Sequence, residues 1–454
     1  MTGSKYLLEV DHLKILVDSG LFQGKKELRL RNWYPLPVGA ETLDYILITH
    51  GHIDHIGFLP RLIKEGFHGR ILCTDATADL MKIMLLDAAK LQEEEAYFAF
   101  KRGYSKHSKP EPLFTEQDAL AVMNFVEGYP LGQPIAFHQQ CTACFHYAGH
   151  ILGAASVELT LTGHSQTKKI VFSGDIGRHQ DPIMHEPSPP NDADVLIVES
   201  TYGNRINPVE EVETHLARVI NEAVDRGGAI IIPAFALGRT QTLIYYLHKL
   251  ETEQKIPSLP IFIDSPMAIK VTNLYERHAP YHRIDVTNTG GNLISIFDAP
   301  NIHYCQTVES SKAINEITSP IIIISASGMS TGGRILHHLY HRLPRPEDTV
   351  LFVGYQAEGT RGRDLLEGAR TIRMFGVDVP VHCQIREVGG LSAHADQSEL
   401  LRWISAIRTR PKFTFITHGE PASAKALQAE ITERFGWPTF VPYYLESFEL
   451  FQGI

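Results

Sequence analysis

Short, mostly apolar runs recur through the first part of the chain: Leu13–Val17, Tyr45–Thr49, Ile170–Ser173 and Val195–Val198. Runs of this length, bounded by glycine or polar turns, predict strands that pack on a core. One long helical stretch interrupts them, Thr77–Lys101, closing at Arg102-Gly103 with Glu93, Glu94 and Glu95 on its solvated side. A Pro-rich loop, His185–Pro190, leads to Asp194 and the next buried strand. From about Tyr202 to Phe375 the rhythm changes to strand–helix repeats. Helix Val209–Asp225 runs into strand Ala229–Ile232, followed by strands Ile261–Ile263, Ile321–Ile324 and Leu351–Val353. Apolar strands alternating with helices predict a parallel sheet covered on both faces, its functional loops at the carboxyl ends of the strands. From about Gly376 the earlier style returns, with a helix through Ile407 and strand Phe413–Thr417 ending on His418. Three regions are therefore expected: 1–201, 202–375 and 376–454.

A chain of 454 residues is too long for one core, which agrees with that division. No apolar run approaches the length of a membrane span, and Met1–Val10 carries no secretory pattern, so a cytoplasmic protein is expected. The cysteines (Cys73, Cys141, Cys144, Cys305 and Cys383) are odd in number and scattered, which argues for a reducing compartment. Cys141 and Cys144 form a lone C-x-x-C, better read as buried thiols on a strand than as a zinc knuckle. The net charge of −10 speaks against a basic surface over the whole chain. Between Arg334 and Arg373, however, arginines outnumber acids, which leaves room for a local basic cleft.

The densest chemistry is His50-Gly51-His52-Ile53-Asp54-His55, directly after a buried strand. Imidazole and carboxylate groups suit zinc and neighbouring transition metals. His50 and His52 alternate on an extended backbone, so their rings point the same way. Asp54 and His55 follow where the chain turns and can face a second ion; two ions about 3.5–4 Å apart can clamp both oxygens of a displacement at phosphorus. The bland alternative is a His-rich surface loop. Other candidates share one pattern of apolar strand, single ligand-type residue and glycine: Asp18, His150, Asp175 and His418. His337, His338 and His341 lie on an expected helix and read as an exposed or half-buried face rather than a third metal site.

These residues resemble the metallo-β-lactamase superfamily and, within it, the β-CASP ribonucleases. H-x-H-x-D-H is matched by His50, His52, Asp54 and His55, the next ligands by His150 and Asp175, and the early structural aspartate by Asp18. The β-CASP marks are matched by Glu199 after its strand, His394 in Ser-Ala-His-Ala-Asp, and His418. The stretches Pro233–Gln241 and Ser325–Arg334 look like this group's cleft loops. One departure is the start at Met1-Thr2-Gly3-Ser4, where family members usually have a strand before such a segment.

The resemblance implies an α/β fold, a metallo-β-lactamase αββα sandwich with an inserted parallel-sheet α/β β-CASP domain. It implies two zinc ions, one held by His50, His52, His150 and Asp175, the other by Asp54, His55, Asp175 and His418. The expected activity is hydrolysis of RNA phosphodiester bonds by a two-metal hydroxide mechanism, leaving 5′-phosphate and 3′-hydroxyl ends, with internal cleavage the favoured mode. Asp54, His394, Glu199 and Asp18 are assigned to catalysis: His394 as proton donor to the leaving oxygen, Glu199 orienting it, Asp18 fixing ligand geometry. Phosphates are expected at Arg239, Ser327, Gly328, Met329, Arg334, Arg361 and Arg363, from backbone N–H groups and guanidinium forks. The plain alternative for those loops is ordinary strand–helix turns. Members acting on DNA tend to lack a histidine at the final motif, so His418 points to RNA, expected to be single-stranded. No membrane partner is expected, and a homodimer is the candidate assembly. Two other readings stay open: a small-substrate metallohydrolase of the lactamase or thioesterase type, and a catalytically silent RNA-binding scaffold.

Overall fold

In a computed structural model, residues 3–102, 110–163, 166–207, 211–284, 287–289 and 292–452 are described. The chain forms two compact units, Met1–Ile206 with His394–Ile454, and Asn207–Ala393.

In the first unit, a five-stranded sheet runs in the order Tyr6–Val10, Leu13–Val17, Tyr45–Leu47, Arg70–Thr74, Val126–Tyr129. Its first pair is antiparallel and the others are parallel. A seven-stranded sheet runs Thr439–Phe440, Phe413–Thr417, Val195–Glu199, Gln166–Phe172, Ala155–Gly163, Cys141–Tyr147, Ile135–His138. The two sheets bury one shared core, where Ile15, Val17, Leu47 and Leu72 meet Phe145, Val157, Ile170, Phe172 and Ile197. Alternate residues of the first sheet, Leu16, Ile46, Ile71 and Cys73, point the other way. They pack on Leu59 and Leu62 of helix Leu59–Lys64 and on Met81, Leu85 and Ala89 of helix Asp75–Arg102. Helix Pro421–Phe435 lies against strands Phe413–Thr417 and Thr439–Phe440, so helices flank both sheets. This is the expected αββα arrangement. All five cysteines are buried free thiols, Cys141 and Cys144 on one strand. Gly103, the expected end of the long helix, lies outside the described residues; Glu94 and Glu95 are exposed and Glu93 is half-buried.

The second unit holds a parallel six-stranded sheet in the order Ile302–Tyr304, Ile261–Ile263, Ile322–Ser325, Ile230–Pro233, Thr349–Phe352, Gln384–Glu387. One face packs Ile231, Ile323, Val350 and Phe352 on Ile335, Leu339 and Leu365 from helices Ile335–Arg342 and Arg361–Leu366. Ile230, Ile232 and Ile324, which alternate with these, are equally buried. Helix Val212–Asp225 is the one foreseen from Val209, a start that lies outside the described residues. The unit extends past the expected boundary at Phe375 because Gln384–Glu387 pairs in parallel with Thr349–Phe352. The hairpin Thr371–Met374 and Val377–Pro380 belongs to it as well.

Candidate metal centre

The candidate ligands of the first unit all emerge where strands end. Register sets the neighbours: Val17 lies opposite Leu47, which puts Asp18 beside Thr49 and His50, and Glu199 lies opposite Thr417, which puts it beside His418. His52 is extended (φ −71°, ψ 147°) and caps the short helix Ile53–Ile56, which carries Asp54 and His55 round the turn. Gly20 allows a close approach, since a Cβ there would overlap the Asp54 carbonyl. Gly174, at φ +57°, lets the chain turn into Asp175 against Thr49. Asp18 and His418 adopt φ +58° and +49° without being glycine, a strained conformation that concentrates at functional sites.

Ligand atoms gather in two groups, His50, His52, His150 and Asp175, and Asp54, His55 and His418. Asp175 divides its oxygens between them. Its Oδ2 lies 3.5 Å from His50 Nε2 and 3.7 Å from His150 Nε2, its Oδ1 3.4 Å from His55 Nε2 and 3.5 Å from His418 Nε2. His52 Nδ1 closes the first group at 3.1 Å from His50 Nε2 and 3.3 Å from His150 Nε2. Asp54 Oδ2 lies 3.7 Å from His418 Nε2. His55 Nε2 and Asp175 Oδ1 are buried without a hydrogen-bond partner, as atoms reserved for something other than protein would be. Burial, reinforced by the neighbouring His55, holds His50 well below the usual histidine range, and burial brings His52 down to about 4. Both imidazoles are thus neutral, the form that binds metal. Burial alone would raise Asp175, but His418, His55 and His50 hold it well below the usual carboxylate range. Burial acts on His55 as it does on His50, but the carboxylates of Asp175 and Asp18 outweigh it and hold its pKa well above the usual histidine range. Imidazole nitrogens gathered around one carboxylate are a donor set that fits divalent ions of the zinc type.

A layer of contacts stands behind the ligands. Asp18 Oδ2 lies 2.8 Å from His55 Nδ1, while Asp18 Oδ1 accepts from the Thr49 N–H at 2.8 Å. Glu199 is 1% exposed; its Oε1 accepts from the Ile176 N–H at 2.7 Å and lies 3.5 Å from His394 Nδ1. The His394 backbone pairs with Gly177, and its ring sits 4.3 Å from that of His150, so it stands beside the first ligand group without belonging to it. Thr49 and Ser4 were not singled out in the sequence. Ser4 Oγ lies 2.6 Å from His418 Nδ1, a contact across almost the whole chain that no local motif announces.

The expected phosphate contacts lie in the second unit, on loops that follow strand carboxyl ends. Gln356 Nε2 donates to the Gly328 carbonyl at 3.0 Å, Gly362 N–H to Met329 O at 3.3 Å, and Ser327 Oγ accepts from Thr331 N–H at 3.1 Å. Arg239 opens helix Arg239–Thr252, and Arg361 donates to the carbonyls of Arg373 and Thr331. Arg363 pairs with Glu367 at 2.6 Å on the helix surface, where screening keeps such a pair weak.

Arg334 departs from the expectation. Its guanidinium donates to Asp264 at 2.7 Å and to the Cys305 and Gln306 carbonyls at 2.8 Å, so it latches the fold and is not available as a phosphate fork. His338 is a second correction: it is fully buried, with Nε2 2.7 Å from Asp264 and Nδ1 3.0 Å from Asn315, whereas His337 and His341 are exposed as expected. Among the described residues these histidines form no third metal group. Asp264→Ala strands a guanidinium and a buried imidazole, so it is expected to destabilise the second unit by about 3 kcal/mol. Denaturant unfolding of the full chain measures this; a loss under about 1 kcal/mol would show that the network carries little stability.

Three family models match the chain: the metallo-beta-lactamase superfamily over residues 2–134, the Beta-Casp domain over 240–365, and the Zn-dependent metallo-hydrolase RNA specificity domain over 378–442. Ribonuclease TTHA0252 of Thermus thermophilus is 33% identical over 428 residues, 94% of this chain and 92% of that protein. The RNase J-like protein of Methanocaldococcus jannaschii is 30% identical, over 96% of this chain and 94% of that protein. Transcription termination factor FttA of the same archaeon is 28% identical, over 96% of this chain and 67% of that protein. No helix among the described residues is long and apolar enough to cross a membrane.

Proposed function

This chain belongs to the β-CASP branch of the metallo-β-lactamase superfamily, metal-dependent hydrolases, and on that footing we propose that it is a zinc-dependent ribonuclease using two ions. The observation that carries the reading is the division of Asp175, one oxygen toward each group of imidazoles. An imidazole presents one lone pair and cannot be shared in this way; a carboxylate can. His50, His52, His150 and Asp175 would hold one ion, and Asp54, His55, Asp175 and His418 the other. Zinc bound there supplies a water of lowered pKa and polarises the phosphoryl oxygens. Asp18 keeps the His55 proton on Nδ1, leaving Nε2 to face the shared carboxylate.

His394 has the remaining task. When water attacks phosphorus and the P–O3′ bond breaks, the departing 3′ oxygen needs a proton, and an imidazolium beside the ligand groups can provide it. Burial pushes the His394 pKa down, but the carboxylates of Glu199 foremost, with Asp175 and Asp54, together outweigh it, so the ring holds its proton above the ordinary histidine pKa. The products are then a 5′-phosphate and a 3′-hydroxyl. RNA as substrate draws support from the RNA specificity domain match and from the ribonucleases among the relatives. The loops around Gly328 and Gly362, with Arg239, Arg361 and Arg363, would bind its phosphates, and cleavage would be internal.

Matched single-stranded RNA and DNA oligonucleotides, together with a closed circular RNA, test this at one salt concentration. We expect RNA to be cut in preference to DNA, the circle to be linearised, and the new ends to be 5′-phosphate and 3′-hydroxyl. Preferential DNA cleavage, or a 2′,3′-cyclic phosphate, contradicts the proposal; an intact circle beside cleaved linear RNA removes the internal mode.

A further inference from the structure

We propose that Ser4 is a positioning residue for the second ligand group, its hydroxyl holding His418 in the tautomer and orientation that present Nε2 to a metal ion. This rests on the reading that Asp54, His55 and His418 hold an ion. Ser4 lies at the opposite end of the chain from His418, yet its Oγ is 2.6 Å from His418 Nδ1. Its backbone N–H donates to the Asp54 carbonyl at 3.0 Å, and its own carbonyl accepts from the Gly20 N–H at 3.0 Å. One buried residue therefore touches two of the three ligands in this group.

A neutral imidazole carries its proton on one nitrogen only. If Ser4 Oγ accepts from Nδ1–H, the lone pair is left on Nε2, the atom that lies 3.5 Å from Asp175 Oδ1 and 3.7 Å from Asp54 Oδ2. Two residues on, the Tyr6 phenol lies 2.9 Å from Thr417 Oγ1, so the same N-terminal segment also holds the residue before His418. The left-handed backbone of His418 (φ +49°) sits at the end of its strand, where the ladder no longer sets the ring direction; the contact from Ser4 does. Asp18 plays the matching part for His55, with Oδ2 2.8 Å from Nδ1. Both imidazoles facing Asp175 Oδ1 are thus gripped at Nδ1, one by a carboxylate and one by a hydroxyl.

The test loads the full chain with zinc alone and follows its release to a chromogenic chelator. Ser4→Ala is expected to weaken one of the two ions by about 10–100-fold and leave the other unchanged, whereas Ser4→Thr, which keeps a hydroxyl, holds both. A wild-type release profile in Ser4→Ala, or equal weakening of both ions, overturns the proposal. Wild-type protein that holds fewer than two ions overturns the two-ion reading and this inference with it. A second measurement needs no Ser4 variant. In zinc-loaded protein with 15N-labelled histidine, the His418 ring, assigned by its loss in His418→Asn, should carry its proton on Nδ1; a proton on Nε2 overturns the proposal.

Discussion

Asp175→Ala is expected to remove both metal ions and to lower RNA hydrolysis by at least about 10⁴-fold, the scale of losing a member of a catalytic unit. Each of its oxygens faces a separate pair of imidazoles, so the substitution takes one ligand atom from each group at once. The apo protein should keep its fold. Removing a buried carboxylate leaves His50 and His52, which burial already keeps neutral, and His55 retains Asp18. Elemental analysis after gel filtration reads the metal content, circular dichroism the fold, and a labelled oligonucleotide the activity. A folded Asp175→Ala protein that still carries two ions and cleaves RNA would falsify the shared-ligand assignment. Loss of one ion alone would assign Asp175 to a single group.

The contrast with other residues shows what a sequence makes visible. His50, His52, Asp54 and His55 crowd one turn, and Asp18, His150, Asp175 and His418 each end an apolar strand, so local pattern alone marks them. The parallel sheet of the second unit was legible for the same reason, because runs such as Ile230–Pro233 and Ile322–Ser325 are apolar on both faces. Contacts that need the fold were not. Ser4 and His418 are joined by strands that meet only after folding, and Thr49 looks like any strand-end threonine until Asp18 reaches it. Gln384–Glu387, half-exposed and polar, does not read as a strand; pairing with Thr349–Phe352 makes it one and carries the unit past the expected boundary. Arg334 failed for the opposite reason. A guanidinium in a glycine-rich loop suggests phosphate, but the buried carboxylate of Asp264, distant in sequence, claims it first.

His394→Ala is expected to lower the hydrolysis rate by roughly 10²–10⁴-fold, the usual worth of general acid–base help, while leaving two ions bound. The ring stands against His150 but outside both ligand groups, and Nδ1 faces Glu199. A residue so placed can deliver a proton without holding a metal. The pH profile separates that role from a structural one. A proton donor is active in its protonated form, so the rate should fall as pH rises through the His394 pKa. Glu199 foremost, with Asp175 and Asp54, holds that pKa above the ordinary histidine value, so Glu199→Gln should shift the alkaline fall to lower pH. In His394→Ala the fall belonging to this group should vanish, and a substrate whose leaving oxygen needs little protonation, such as a nitrophenyl phosphodiester, should be cleaved at close to the wild-type rate. Metal loss on His394→Ala would instead make this ring a ligand. An alkaline limb unchanged in both variants would assign the proton to another group.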